Sequence, residues 1–262
     1  MTLRSAFISL ATAAATLTGV SGAAQADSPV KFSAEYVVTL RGITVAKAGF
    51  SGAVTGQRYE VEGQLASAGI GKVLGKTEAS ARSAGTFNQP TPTPESFMLS
   101  FAQGGHTSKT ELIFKNGNAV STSFQPDWKA GSDTIPITPN DLQSVADPVA
   151  ATVVARGTPD QICGRTLRVF EGGTRIDVEL KLASVGFIEG IGNNAVTCRA
   201  NFVPVAGMTA NNGTYDYLRK KADMELIYVP AARGGLYLLH TMSARTDIGR
   251  VQLRAYRRNV RG

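Results

Sequence analysis

The sequence predicts an all-β protein: an antiparallel meander curled into a half-barrel or spiral sheet, with one or two short helices covering an end. Three observations carry that expectation. Apolar residues recur at every second position over most of the chain, the intervals between these runs are short and rich in turn residues, and the composition suits a folded core. Of 262 residues, 43% are hydrophobic and 18% charged, which does not describe a disordered chain. Two cysteines are too few for a disulfide-built miniprotein, and the length is enough to bury a sizeable core in one domain.

Residues 1–26 read as a secretory signal peptide rather than structure. Arg4 supplies the positive start, Ala6 to Val20 is a weakly polar Ala/Leu/Thr stretch, and Ala24-Gln25-Ala26 is a small-x-small cleavage site. The apolar run is shorter than the roughly 20 residues that span a bilayer, and it is diluted by Ser9, Thr12, Thr16 and Gly19. The mature chain is then expected to be one exported β-domain, 27–262.

Four stretches alternate strictly and read as half-buried strands. Phe32, Ala34, Tyr36, Val38 and Leu40 oppose Ser33, Glu35, Thr39 and Arg41; Tyr59, Val61, Gly63 and Leu65 oppose Arg58, Glu60, Glu62 and Gln64. Ile176, Val178, Leu180 and Leu182 oppose Arg175, Asp177, Glu179 and Lys181; Val251, Leu253 and Ala255 oppose Arg250, Gln252 and Arg254. Further strand-like runs lie at 43–54, 77–87, 94–103, 107–115, 118–124, 222–229 and 235–245. Asn116-Gly117 is the preferred pair for a type I′ hairpin, and Glu171-Gly172-Gly173-Thr174 offers a second tight turn.

Two segments break the period. Thr138-Pro139-Asn140-Asp141 is a helix start, and Leu142, Val145, Val149 and Val153 follow at helical spacing, interrupted by Pro148. Two short helices or a kinked one over an open end of the sheet are expected there. In Ala66 to Lys76, Ile70, Val73 and Leu74 form an apolar cluster among three glycines. It reads as a crossover tucking its leucine into the core or, more sharply, as a lid or membrane-touching tip.

Export makes Cys163 and Cys198, 35 positions apart, a disulfide worth roughly 4 kcal/mol. Both lie in strand-like segments, 162–171 and 194–204. Cys198 shares the apolar face of Val196, Ala200 and Phe202 and should point inward.

Catalytic signals are weak. Gly69 to Thr77 ends like a phosphate loop, but the glycine spacing is wrong, with Ile70 at the required position. His106 and His240 are the only histidines: the first follows a Gly-Gly turn, and the second shares a strand face with Leu236, Leu238 and Met242, as a core histidine would. Neither a Gly-x-Ser-x-Gly elbow nor a His-Glu-x-x-His motif occurs, and the ligands for a zinc site are lacking. Asp177 and Glu179 share one strand face, but flanking Arg175 and Lys181 suggest a solvated ion-paired face rather than a glycosidase pair. Trp128, the only tryptophan, pins its Pro- and Gly-rich loop or stacks on a sugar. No cofactor is expected.

Within 147–207 the sequence becomes specific. Asp147-Pro148-Val149-Ala150-Ala151 is followed by Cys163, by Arg168-Val169-Phe170-Glu171-Gly172 and Arg175-Ile176-Asp177, and by Cys198 ahead of Phe202-Val203-Pro204-Val205-Ala206-Gly207. This pattern, with the strand pair Tyr36–Leu40 and Gly42–Gly49, resembles an uncharacterised family of exported Gram-negative β-proteins, similar in style to periplasmic envelope-integrity proteins. The resemblance implies a curled sheet with one disulfide and brings no catalytic residues.

These readings lead to a non-enzymatic envelope protein whose concave apolar face binds or shields a hydrophobic ligand: a lipid, an acyl chain or a peptide segment such as part of a lipoprotein. Placement of the charge supports an alternative. Lys and Arg total 27 against 20 Asp and Glu, but from Arg233 onward seven arginines face only Asp247. The excess of the mature chain therefore sits in its last hairpin and tail. Arg250, Arg254, Arg257 and Arg258 are candidate contacts to anionic cell-wall or lipopolysaccharide surfaces. A solvated edge strand that discourages aggregation explains them equally well. A wall hydrolase is the remote third reading. Nucleic acid is not the expected partner in that compartment, and an outer-membrane barrel is disfavoured by the 7% aromatic content and charged polar faces.

Overall fold

The computed structural model describes residues 28–88, 90–210, 213–231 and 235–262; the expected signal peptide (1–26) and Arg233 lie outside them. The first half of the chain is an uninterrupted meander: β1 (Val30–Leu40), β2 (Ile43–Thr55), β3 (Arg58–Ser67), β4 (Thr77–Asn88), β5 (Thr91–Gln103), β6 (His106–Lys115) and β7 (Asn118–Gln125), with the short helix α1 (Gly71–Leu74) between β3 and β4. The second half adds α2 (Pro148–Thr152), β8 (Val154–Arg156), α3 (Pro159–Cys163), β9 (Thr166–Phe170), β10 (Arg175–Ile188), β11 (Gly192–Ala206), α4 (Gly213–Lys221), β12 (Met224–Pro230), β13 (Leu236–Thr246) and β14 (Gly249–Arg261). A 3-10 turn, Pro139–Leu142, precedes α2.

All fourteen strands belong to one antiparallel sheet. Its order is β7-β6-β5-β4-β3-β2-β1-β14-β13-β12-β11-β10-β9, with β8 paired to β13 beside the path. The first and last strands are therefore neighbours near the middle, Tyr36 opposite Ala255 and Leu40 opposite Val251. The turns use the chemistry their sharpness demands: Asn116-Gly117 has positive φ at both residues, as a type I′ hairpin requires.

Curling brings the inward faces of the two arms together. Tyr59, Val61, Phe87, Phe97 and Leu112 from one arm meet Val178, Leu180, Val196, Leu226 and Tyr228 from the other in a single core. The sheet stays open between β7 and β9, and residues 144–146 stitch that gap. The Val145 amide donates to Gly117 O and the Ser144 amide to Asn118 Oδ1, while Ala146 donates to Arg168 O and accepts from the Phe170 amide.

Several local expectations are corrected. The segment 142–156 holds one short helix rather than two or a kinked one: α2 packs on β4, β5 and β9 with Val149, Ala150 and Ala151 buried. It starts where it does because Pro148 fits the first helical position and the Asp147 carboxylate accepts the amides of Val149 and Ala150, both at 2.9 Å. Beyond it, Val154–Arg156 is a strand, captured by the free edge of β13. Cys163 ends a helix, not a strand: Thr158 and Gln161 form a capping box and Pro159 opens α3. Alternation puts Arg175 on the wet face, yet it is almost wholly buried, roofed by the 3-10 turn whose Asp141 carbonyl accepts from Nε, and paired with Asp177 at 2.7 Å. The same alternation puts Leu182 on the dry face, but it is exposed, because β9 pairs only with Arg175–Glu179 and leaves the rest of β10 at the sheet edge.

Candidate functional site: an apolar cavity in the half-barrel

The inward face is filled at one end and empty at the other. Along β3 the inward residue changes from Tyr59 to Gly63, and along β4 from Phe87 to Ala81 and Ala79. Ala48 on β2 continues this stripe of small side chains. The opposite wall, Met224, Met242 and Leu253 on β12, β13 and β14, does not reach across. The sheet is held at its curvature by the stitched gap and the plug of α2, so the small residues leave space instead of letting the walls collapse. The space is a cavity of about 490 Å³, floored by Pro148 and Val149 of α2 and walled almost entirely by carbon. That volume lies within the roughly 300–1,000 Å³ range of small-molecule sites.

Phe50 sets the shape of one wall. Its ring lies over Gly63, opposite it on β3, so closely that a Cβ there would sit 2.6 Å from the ring. It also meets Tyr36 edge-on at 5.5 Å. The Tyr36 hydroxyl donates to Leu239 O at 2.6 Å, across the slot where β14 parts from β13.

Among the described residues lining the cavity, Glu171 is the only one with an ionisable side chain. Burial raises its pKa, and hydrogen bonds from Thr174 and Gly173 within its own turn oppose that rise. Below the floor, Asp147 is completely buried and takes a third hydrogen bond from Ser83 Oγ at 2.7 Å. Burial pushes its pKa up to about 6, against the bonds from Ala150, Ser83 and Val149. A larger groove of about 710 Å³ crosses the outer face of β1–β5, but Glu35, Lys47, Glu62 and Glu78 line it, and it is a polar surface trough.

The candidate residues from the sequence fall in different places. Cys163 and Cys198 are bonded and fully buried, joining α3 to β11. Ile70 and Val73 are exposed on the β3–β4 connection, outside the cavity lining, and the side chain of Leu74 lies outside the described residues. The glycines around them serve packing: a Cβ on Gly69 or Gly71 would collide with the Thr44 or Val45 carbonyl. The connection is a hairpin link between neighbouring strands, so the expected crossover does not occur.

Three of the four arginines are engaged with different partners, while Arg254 and Arg258 both bear on His240. Arg250 pairs with Asp223 at 2.8 Å, Arg257 with Glu35 at 3.4 Å, and Arg258 donates to Ile191 O. From Arg250 to Arg258 the strand runs about 26 Å. His240 is buried, with Nδ1 2.8 Å from Thr241 Oγ1. Burial, then the charges of Arg258 and Arg254, push its pKa down to about 4. His106 is exposed. Trp128 is half-exposed, its ring 5.4 Å from Phe124, and it pins its loop to the end of β7. Asp177 holds Arg175, and Glu179 accepts from Asn201.

The cavity itself was not foreseen residue by residue. Its signal was present: small residues at 48, 63, 79 and 81 occupy inward positions of consecutive strands, where Tyr, Phe and Val stand further along. Among the described residues no helix is long and apolar enough to cross a membrane, and no three His, Cys, Asp or Glu side chains are grouped to hold a metal ion.

A family model described as a protein of unknown function, DUF3108, matches residues 35–255. No curated protein matches the sequence. Among solved structures, the fold is similar to the crystal structure of a β-barrel-like protein of the domain of unknown function DUF1849 from Brucella abortus. The identity is 6%, the TM-score is 0.50, and the alignment covers 90% of this chain and 99% of that one. At that identity the likeness concerns the fold alone.

Proposed function

The chain belongs to the DUF3108 family of unknown function, and from that premise we propose that it is an exported, periplasmic envelope protein that holds the acyl chain of a lipid or lipoprotein in its half-barrel. The observation that carries this reading is the carbon-walled cavity of about 490 Å³. Leaving such a surface to water is unfavourable by about 25 cal/mol per Å², and an apolar chain is the occupant that offsets it without new polar partners. The buried Cys163–Cys198 disulfide suits an oxidising compartment. A binding role rather than a catalytic one fits the lining, in which Glu171 is bonded back to its own turn. Capture of anionic cell-wall or lipopolysaccharide surfaces by Arg250, Arg254, Arg257 and Arg258 is the weaker reading, since Arg250, Arg257 and Arg258 are already engaged with Asp223, Glu35 and Ile191.

Native mass spectrometry and organic extraction of the protein purified from its own envelope test the proposal. A bound acyl species is expected. Ala81→Trp, which fills the cavity from β4, should lower the affinity for a neutral apolar fluorophore about tenfold or more while the melting transition persists. A wild-type protein that is empty and takes up no such fluorophore overturns the reading.

A further inference from the structure

We propose that the mouth of the cavity docks on an anionic lipid bilayer through three adjoining hairpin turns. The strip β4-β3-β2-β1-β14-β13 places the turns β3–β4, β1–β2 and β13–β14 side by side at the cavity end of the sheet. Each carries a bare aliphatic side chain: Val73 is 85% exposed and Ile70 46% in the first turn, Ile43 56% in the second, and Ile248 58% in the third. Single exposed hydrophobics are ordinary; four on neighbouring tips around an apolar opening are not scattered.

The tips are braced. The Ala68 amide donates to Val45 O at 2.9 Å, tying the β3–β4 connection to β2. The Arg41 amide donates to Arg250 O, and Arg41 Nε donates to Ile248 O at 2.6 Å, tying the second turn to the third. Such a rim enters an interface without first paying to order itself.

Charge selects the partner. The same turns carry Lys72, Lys76, Arg41 and Arg245 against Asp247 and Glu78, all exposed. Helix α4 packs beside β13 at this end and adds Arg219, Lys220 and Lys221 against Asp216. Aliphatic tips within a cationic rim match a bilayer with anionic headgroups: the tips enter the acyl boundary and the cations stay with the phosphates. The inference rests on the carrier reading for its purpose, which is to let an acyl chain pass between bilayer and cavity without crossing water.

Sedimentation with phosphatidylglycerol-rich vesicles tests it, with phosphatidylcholine vesicles as control. Wild type should pellet with the anionic vesicles at low salt, weaken with added salt, and stay in solution with the control. Ile43→Asp combined with Val73→Asp should lose binding about tenfold or more per tip, with unchanged melting and unchanged uptake of a neutral apolar fluorophore. Lys72→Glu combined with Lys76→Glu should reduce binding at low salt only. Undiminished binding by the tip variant, equal binding to both vesicle types, or no binding by wild type overturns the docking proposal. Vesicle binding by a wild type that takes up no fluorophore upholds docking and overturns the carrier reading instead.

Discussion

Asp147 and His240 are both buried, and their titrations oppose each other. The Asp147 pKa is pushed up from 3.8 to about 6, so between those values the folded protein binds more protons than the unfolded chain. Stability against unfolding therefore falls as pH rises through that window, by on the order of 3 kcal/mol for an isolated group with this shift. His240 is pushed down from 6.5 to about 4, so there the unfolded chain binds more protons and stability falls as pH drops. Asp147→Asn keeps an acceptor for the amides of Val149 and Ala150 and faces Ser83 with its NH₂ group. Thermal melts should show this variant more stable than wild type at pH 7.5, with the difference shrinking below pH 6 and gone only once the pH is below 3.8. A variant less stable at pH 7.5 would mean that the capping bonds outweigh the burial of the charge. His240→Gln should in turn remove the loss on the acid side and leave Asp147 unopposed, seen as a melting temperature that rises, relative to wild type, as pH falls from 6.5 to 4.5.

Helices, at the scale of elements, are where periodicity in the sequence was least informative. α2 and α3 are each five residues, too short to show a 3.6-residue period, and what marks them is capping chemistry: Asp147-Pro148 and Thr158-Pro159 with Gln161. α4 has no fully buried residue; its only signal is charge, Asp216 in the first turn and Arg219, Lys220 and Lys221 in the last, which complements the helix dipole. The disulfide gives α3 its anchorage, since five residues supply little packing of their own. Replacing both cysteines by alanine should destabilise the protein by about 4 kcal/mol, the value for closing a loop of this length, less whatever strain the bridge holds. Denaturant titration of the variant beside the wild type, with the cavity probed by fluorophore uptake, checks this. A loss under 1 kcal/mol would show that α3 holds its place without the bridge.

The whole molecule depends on a contact between its ends. β14 pairs with β1 on one side and β13 on the other, so the last strand joins the two arms whose inner faces make one core. A chain stopped after Thr246 strips both neighbours of their hydrogen bonds and removes Val251 and Leu253 from the cavity wall. It should lose cooperative unfolding and fluorophore uptake together in circular-dichroism and fluorescence melts. A truncated chain that still melts cooperatively would show that the seven-strand meander stands alone. The same dependence explains the cavity: an unstitched sheet would flatten or collapse over its small residues, whereas one held by β14 and the 144–146 segment keeps them apart.

Strands, hairpins and the disulfide partners were readable because their causes are local. Alternation decides which residues of β1 and β3 face inward, Asn116-Gly117 needs only its own φ angles, and an exported chain with two cysteines has one simple pairing. Curvature made the rest illegible. Whether Arg175 meets water depends on a 3-10 turn more than thirty residues earlier, and whether Leu182 is covered depends on where β9 stops pairing. The four arginines of β14 look like one cluster along the chain, but the strand sends Arg250 to Asp223, Arg257 to Glu35 and Arg258 to Ile191. Ala48, Gly63, Ala79 and Ala81 each look like minor choices until the sheet curls and sets them side by side. The sequence by itself determined the class of fold, its faces and its crosslink, because neighbouring residues specify those. Only the tertiary structure decided that part of the concave face would remain empty and that Ile43, Ile70, Val73 and Ile248 would stand exposed on neighbouring turns at one end, because the first follows from how far the sheet bends before its two arms meet and the second from the order of its strands.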